Sequence, residues 1–140
     1  MKETDLVIHT DGGARGNPGP SACAFVVEME GKVIAKGTKY LGVNTNNFAE
    51  YSAFVLVFDW LLENKEKILG KDIYIFSDSE LVVKQLMGIY KIKNPTLKII
   101  NNKIIEQSKK LGMNIFYKNV FRSKNIIADS LVNEELDKNV

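Results

Sequence analysis

The chain has 140 residues, enough for one folded domain that buries roughly two-thirds of its unfolded surface. Its 45% hydrophobic and 26% charged content is typical of a globular protein, and a net charge of +2 by itself says little about partners. No apolar run approaches the ~18 residues of a membrane span, and no signal-peptide core follows Met1–Asp5, so we expect a cytoplasmic protein without a membrane partner. A single Cys23 and a single His9 exclude an internal disulfide and a structural zinc site, so any metal must be held by oxygen.

The first part of the chain has the alternating pattern of an antiparallel meander. The predicted strands are Leu6–Thr10, about Ala22–Met29, and Lys32–Leu41. A glycine-rich loop, Gly12–Pro20, separates the first two, and the tight-turn pair Glu30-Gly31 separates the second from the third. Gly42–Asn47 then closes this unit.

The period changes to that of a helix after residue 48. Apolar residues recur on one predicted helical face, at Ala49, Ala53, Leu56, Val57, Trp60 and Leu61. The later predicted elements are a strand at Asp72–Ser77, a helix at Ser79–Met87, a third helix after Asn94-Pro95, a strand at Met113–Val120, and a last helix from Ile126 to about Leu136. The third helix is predicted to face inward with Leu97, Ile100, Ile104 and Leu111. The last helix is predicted to be capped by Ser123 or Asn125. The order βββαβααβα predicts one α/β domain over residues 1–140, with a five-stranded mixed sheet flanked by helices.

Basic residues are concentrated in one part of the sequence. Between Lys84 and Lys124 there are ten basic residues and one acidic residue, Glu106, whereas the rest of the chain has 9 basic and 16 acidic residues. Two interpretations stay open at this stage. The basic residues form either a solvated lysine face or a stripe that follows a polyanion backbone.

Four acidic residues are predicted to meet at one edge of the sheet. Asp11 follows the first strand and Asp78 the fourth, so parallel pairing of these strands places both carboxylates at the same edge. Glu50 and Asp129 lie in the first turns of helices that can point toward it. A divalent cation such as Mg²⁺ or Mn²⁺ would neutralise their repulsion. For any one of them alone, a solvated carboxylate or a helix N-terminal charge is the alternative.

At this point the sequence resembles type 1 ribonuclease H. Four blocks match in order, namely Thr10–Gly13 with Gly16–Pro20, Thr45–Glu50, Ser77–Ser79 and Asn125–Leu131. The resemblance implies the ribonuclease H-like fold and hydrolysis of the RNA strand of RNA·DNA hybrids to 5′-phosphate and 3′-hydroxyl ends. It also implies that Asp11, Glu50, Asp78 and Asp129 are catalytic ligands of two Mg²⁺ or Mn²⁺ ions, and it leaves duplex RNA as a second candidate substrate for an expected monomer.

The resemblance also implies contacts with the substrate. Asn17, Asn46 and Asn47 match positions that contact the nucleic acid, and amides suit 2′-hydroxyl recognition because they both donate and accept hydrogen bonds. Thr45 and Ser79 are weaker candidates for phosphate or DNA-strand contacts. The alternative for each asparagine is an ordinary loop residue.

The sequence departs from the family pattern at two places. Many members carry a histidine ten residues before the last aspartate, but here that position is Asn119, which cannot carry a proton at neutral pH. The resemblance therefore leaves Asn119 as a candidate for contact with the substrate. His9 is no obvious substitute and is interpreted as a packed structural residue.

The second departure is the missing basic protrusion, which places the chain near the compact archaeal and plant-like form. Only Gly88–Pro95 lies at that position. Tyr90, Lys91 and Lys93 could still stack on and contact the DNA strand, although Tyr90 fits equally well as a residue at the edge of the core.

Two other classes compete with the enzyme hypothesis. A silent hybrid- or RNA-binding module of this fold would bind phosphate better without the four acids, so their presence argues against it. A different nuclease of the same superfold, such as a transposase or junction resolvase core, is disfavoured by the Thr45–Asn47 loop, because 2′-hydroxyl contacts are useful only on RNA.

Overall fold

The structure, a computed structural model, describes residues 2–139. The strands are β1 (Leu6–Ala14), β2 (Gly19–Met29), β3 (Lys32–Asn44), β4 (Ile73–Ser77) and β5 (Ile115–Asn119). The α-helices are α1 (Asn46–Glu63), α2 (Glu80–Leu86), α3 (Pro95–Leu111) and α4 (Ile126–Asn139), with short 3₁₀ turns at Lys65–Ile68 and Arg122–Lys124. The predicted element order is confirmed. No helix within this range is both long and apolar enough to cross a membrane.

The described strands form one mixed sheet in the order β3-β2-β1-β4-β5. β1, β2 and β3 pair as the antiparallel meander, whereas β4 pairs parallel to both β1 and β5. β1 is therefore the central strand, and the parallel pairing of β1 with β4 brings the strand ends that carry Asp11 and Asp78 together.

Helices cover the sheet on both faces. On one face, Leu6, Ile8, Ile73 and Ile75 of the central strands contribute to a fully buried core with side chains of α1 and α3. On the other face, the small side chains of Ala22, Ala24 and Val26 let α4 pack on β2 through Leu131, Val132 and Leu136. Because α4 is anchored in this way, its first turn lies beside the end of β1.

The predicted glycine-rich loop begins too early. Gly12, Gly13 and Ala14 continue β1 and pair with Cys23, Ala22 and Ser21 of β2, so the prediction of a loop from Gly12 is wrong for these residues. The antiparallel ladder with β2 overrides the low strand propensity of glycine, and only residues 15–18 remain outside the strands. Asp11 consequently lies within β1, although β1 pairs with β4 only as far as His9.

The buried face of α1 is wider than the predicted face. Tyr51, Phe54 and Phe58 are fully buried, whereas Leu56 and Trp60 are only half-buried against the core. The prediction omits these aromatic residues because α1 contacts both the sheet and α3, so more than one stripe of the helix is buried.

The sequence suggests Ser123 or Asn125 as the N-cap of α4. The side chain of Asn125 does not cap the helix. Its Nδ2 donates instead to the Thr10 carbonyl oxygen at 2.8 Å, and its Oδ1 is buried with no partner among the described residues. The asparagine thus ties α4 to β1 beside Asp11.

Candidate active site

Three carboxylates converge at the edge of the sheet where β1 and β4 end. One oxygen from each of Asp11, Glu50 and Asp78 lies within 4.8 Å of the others. Asp11 is on β1 and Asp78 directly after β4. Glu50 is in the second turn of α1, not in the first turn as predicted, because α1 already begins at Asn46. They line an open cleft of about 550 Å³, to which α4 contributes Asp129.

Gly12 explains how α1 comes so close to β1. A Cβ atom at this position would lie 2.3 Å from the Ala49 carbonyl carbon and 2.5 Å from the Glu50 nitrogen, both backbone atoms. Only glycine therefore allows the contact that places Glu50 beside Asp11. The nearby Gly13 has nothing within 4 Å of such a Cβ, so the requirement is specific to Gly12.

Burial and mutual repulsion favour the protonated forms of the two innermost acids. Burial raises the pKa of Asp11 to about 7, with further contributions from the charges of Asp78 and Asp129, while a hydrogen bond from the Gly12 N–H opposes the rise. Burial, followed by the charges of Asp11 and Asp78, raises the pKa of Glu50 well above its ordinary value. The protein alone therefore holds this cluster at an electrostatic cost.

Asp129 lies at the more exposed side of the cluster. Its side chain is 36% exposed, and Oδ1 is 3.7 Å from a guanidinium nitrogen of Arg122. It is close enough to Asp11 to raise the pKa of that residue by its charge and by a hydrogen bond. It lies outside the set of three oxygens that already meet within 4.8 Å.

The cluster has the chemistry of a cation site. Every acidic group in it offers oxygen, the ligand that Mg²⁺ and Mn²⁺ prefer. Glu50 Oε1 is buried and has no hydrogen-bond partner among residues 2–139, although a buried polar atom normally has one. A divalent cation would supply that partner and neutralise the repulsion, so the residues fit such an ion.

Two of the predicted substrate-contact asparagines hold the protein's own loops together. Asn17 Oδ1 accepts from the Asn46 backbone N–H at 3.0 Å, and Asn46 Oδ1 accepts from the Ala14 backbone N–H at 2.8 Å. Thr45 is the N-cap of α1, because its hydroxyl accepts from the Phe48 N–H. Asn46 and Asn47 both line the acidic cleft. The structure thus places Asn46 and Asn47 beside the acids, whereas Asn17 and Thr45 are not among the cleft-lining residues. Contacts of these residues with nucleic acid remain a prediction.

The remaining predicted contacts lie on α2 and in the segment after it. Ser79 lines the cleft and also caps α2, its hydroxyl accepting from the Val82 N–H at 3.3 Å. Tyr90, Lys91 and Lys93 are exposed and do not line the cleft described above. The Tyr90 hydroxyl donates to Glu80 Oε1 at 3.2 Å, which brings the segment back to the start of α2.

Asn119 and His9 have contacts of their own. Asn119 Nδ2 donates to the Ser77 carbonyl oxygen at 3.1 Å, one residue before Asp78, and Asn119 is not among the cleft-lining residues. His9 stacks on Phe76, with ring centroids 5.0 Å apart, and burial lowers its pKa. This packing agrees with the structural role predicted for His9.

The sequence pattern assigns no site role to Arg122 or Gly12, which the structure places in the cleft. The signal for Arg122 is its position in the basic run, seven residues before Asp129 on the segment that leads into α4. The pattern around Gly12 indicates only a loop, and the steric role of this glycine depends on the position of α1, which no local pattern reveals.

Comparison with known proteins gives a consistent result. The sequence model for RNase H matches residues 3–137. Ribonuclease HI of Halobacterium salinarum is 36% identical over 129 residues, covering 91% of this chain and 62% of the relative. Bifunctional protein Rv2228c of Mycobacterium tuberculosis is 35% identical over 137 residues, covering 94% of this chain and 35% of the relative. The chain therefore spans only part of the length of these curated relatives.

Solved structures agree in fold over nearly the whole chain. LC11-RNase H1, which was isolated from compost and solved in complex with an RNA/DNA hybrid, is 39% identical with a TM-score of 0.91, covering 96% of this chain and 99% of its own. RNase H1 from Halobacterium salinarum is 33% identical with a TM-score of 0.86, covering 96% of this chain and 98% of its own. Since the family match includes all four acidic positions of the cleft and the fold agrees throughout, the chain belongs to the RNase H family.

Proposed function

We propose that this chain is a metal-dependent endoribonuclease that hydrolyses the RNA strand of RNA·DNA hybrids. The observation that carries the proposal is that one oxygen from each of Asp11, Glu50 and Asp78 lies within 4.8 Å of the others, while Glu50 Oε1 is buried with no hydrogen-bond partner among residues 2–139. Membership of the RNase H family and the hybrid bound to LC11-RNase H1 supply the substrate class.

Asp11, Glu50, Asp78 and Asp129 would hold two ions, either Mg²⁺ or Mn²⁺. When bound, the ions activate water and stabilise the charge of the scissile phosphate and of the leaving oxygen, which gives 5′-phosphate and 3′-hydroxyl ends. Asp11 would be a ligand of the ions, since its carboxylate lies within 4.8 Å of oxygens of both Glu50 and Asp78. Glu50 would supply the most buried ligand, because the missing side chain of Gly12 lets α1 approach β1 closely.

The chain's other cleft residues would bind and orient the substrate. Asn46 Oδ1 accepts from Ala14, and Asn46 Nδ2 has no hydrogen-bond partner in the described part of the chain, so Nδ2 can donate to a 2′-hydroxyl. Asn47 lines the same cleft wall. Arg122, whose side chain is 82% exposed, can exchange its contact with Asp129 for a phosphate oxygen.

Cleavage of four labelled substrates tests the proposal, each with Mg²⁺, with Mn²⁺ and with a chelator. The substrates are an RNA·DNA hybrid, duplex RNA, duplex DNA and single-stranded RNA. We expect metal-dependent cleavage of the RNA strand of the hybrid, with duplex RNA as the second candidate. Binding of the hybrid without cleavage would instead support a silent binding module, and cleavage of duplex DNA would support another nuclease of this fold.

We also propose that the chain acts as a monomer in the cytoplasm. The single cysteine, Cys23, is buried and free, which fits a reducing compartment. Sedimentation of the purified protein, alone and with hybrid, checks the oligomeric state.

A further inference from the structure

The segment between α2 and α3 folds back along α2 toward the acidic site. Gly88 has a φ of +77°, and the Ile89 and Tyr90 N–H groups both donate to the Lys84 carbonyl oxygen, at 2.8 Å and 3.2 Å. The Tyr90 hydroxyl then reaches Glu80, two residues after Asp78. The reversal brings the Lys91 backbone within hydrogen-bond distance of Gln85 on α2, and the side chains of Lys91 and Lys93 are exposed.

A buried glutamine ties this segment to the catalytic helix. Gln85 is 8% exposed, and its Nε2 donates to the Lys91 carbonyl oxygen at 3.1 Å. Its Oε1 accepts from the Tyr51 hydroxyl at 2.6 Å, and Tyr51 is fully buried directly after Glu50. The Lys91 carbonyl oxygen can only accept, so it fixes Nε2 toward the segment and leaves Oε1 to accept from the Tyr51 hydroxyl.

We propose that Gln85 is a positioning residue that holds the lysine-bearing segment Ile89–Asn94 in register with Glu50 and thereby sets the strength of hybrid binding. This inference rests on the proposed function, because it assigns Lys91 and Lys93 to the phosphates of the hybrid. The buried amide of Gln85 holds the backbone that carries Lys91 in a fixed position relative to the helix that carries Glu50. Without that amide, the lysines keep their charge but lose their position.

The same chain offers a matched control. Gln107 on α3 is a second buried glutamine, 9% exposed, whose Nε2 donates to Asp59 Oδ1 at 2.8 Å. It contacts α1 far along the helix from Glu50 and does not touch the segment. Gln85→Met removes two hydrogen bonds and Gln107→Met removes one, each with little change in volume. Both should therefore lower stability, and only the first should alter substrate binding.

The experiment compares wild type, Gln85→Met, Gln107→Met and Tyr51→Phe. Hybrid binding is measured by fluorescence anisotropy without metal over a series of salt concentrations, and steady-state cleavage is measured with Mg²⁺. For Gln85→Met we expect KM and Kd to rise about fivefold with kcat within twofold of wild type. The slope of log Kd against log salt should become shallower by about 0.9 for each phosphate that a lysine no longer neutralises. Tyr51→Phe, which removes only the hydroxyl, should change Kd in the same direction and less strongly.

Two results would overturn the proposal. One is a Gln85→Met protein, or a Tyr51→Phe protein if the first does not fold, with the Kd and salt slope of Gln107→Met. The other is a fall in kcat at unchanged KM, which would place the effect on the chemistry instead. If the wild type binds hybrid without cleaving it, the proposed function fails, and the salt slopes still decide the role of Gln85.

Discussion

Asp11 and Glu50 are carboxylates whose surroundings suit a bound cation better than an empty cleft. Their pKa values are raised in the folded protein, that of Asp11 to about 7, chiefly because both are buried and face other acids. The folded protein therefore binds more protons than the unfolded chain between about pH 4 and pH 7. The free energy of unfolding falls as pH rises through this range, and the loss is complete above the folded pKa.

This linkage predicts how metal-free protein responds to pH. In a chelating buffer, Asp11→Asn should leave the melting temperature unchanged or raise it by a few degrees at pH 8, where it removes a repelling charge, and should have less effect at pH 5. The half-buried His9 contributes a dependence of opposite sign, since its pKa is lowered, but it is present in both proteins and cancels in the difference. Thermal unfolding of both proteins at the two pH values checks this. A clear loss of stability in Asp11→Asn at pH 8 would contradict the crowded-site account.

Asn119 allows a second test at the residue scale. An amide cannot transfer a proton, so the wild-type rate should show no ionisation near the ~6.5 of a histidine, and Asn119→His should raise kcat with Mg²⁺ and introduce that ionisation. The Asn119 side chain is bound to the Ser77 carbonyl oxygen, so the gain requires the new imidazole to turn toward the cleft. The pH–rate profile of the variant is the measurement. A profile identical to the wild type would show that this position plays no part in catalysis.

At the scale of elements, the site depends on the contact of β1 with α1. Gly12→Ala would place a Cβ against backbone atoms of Ala49 and Glu50, which no rotamer change relieves, so the two elements must separate. We expect a loss of about 1–3 kcal/mol in the free energy of unfolding and a large loss of activity. Gly13→Ala, with open space around its Cβ, is the stability control. Denaturant unfolding should separate the two variants, and equal stabilities would argue against this contact.

Substitutions of the first two residues of α1, Asn46 and Asn47, should have different effects on stability. Asn46→Ala removes the acceptor for the Ala14 N–H, so it should cost about 1 kcal/mol of stability as well as activity. Asn47→Ala should raise KM for hybrid several-fold with little change in stability, because Asn47 lines the cleft. Melting temperatures and hybrid kinetics of both variants provide the check. An unchanged KM in Asn47→Ala would remove this residue from the substrate interface.

Across the whole molecule, most of the architecture can be predicted because its signals are local. The period-2 and helical patterns predict the element order, and the strand–helix–strand order predicts the parallel pairing that joins Asp11 to Asp78. The sequence does not predict that β1 continues through Gly12–Ala14, because this depends on pairing with β2. It also does not predict that Phe54 and Phe58 are buried, because this depends on which elements pack against α1. The sequence does not predict the roles of Arg122 and Gln85 either, because these roles depend on contacts between residues that are distant in sequence.

The most direct test of the metal-site assignment is the cleavage of a labelled RNA·DNA hybrid by wild type and by Glu50→Gln as Mg²⁺ is titrated. Glutamine keeps the shape of Glu50 but removes the charge from the buried oxygen that has no partner among the described residues. We expect the wild type to cut the RNA strand only with metal, and the folded variant to lose at least ~10²-fold in rate at every Mg²⁺ concentration. Cleavage by Glu50→Gln at the wild-type rate would contradict the assignment of this cluster as the catalytic metal site.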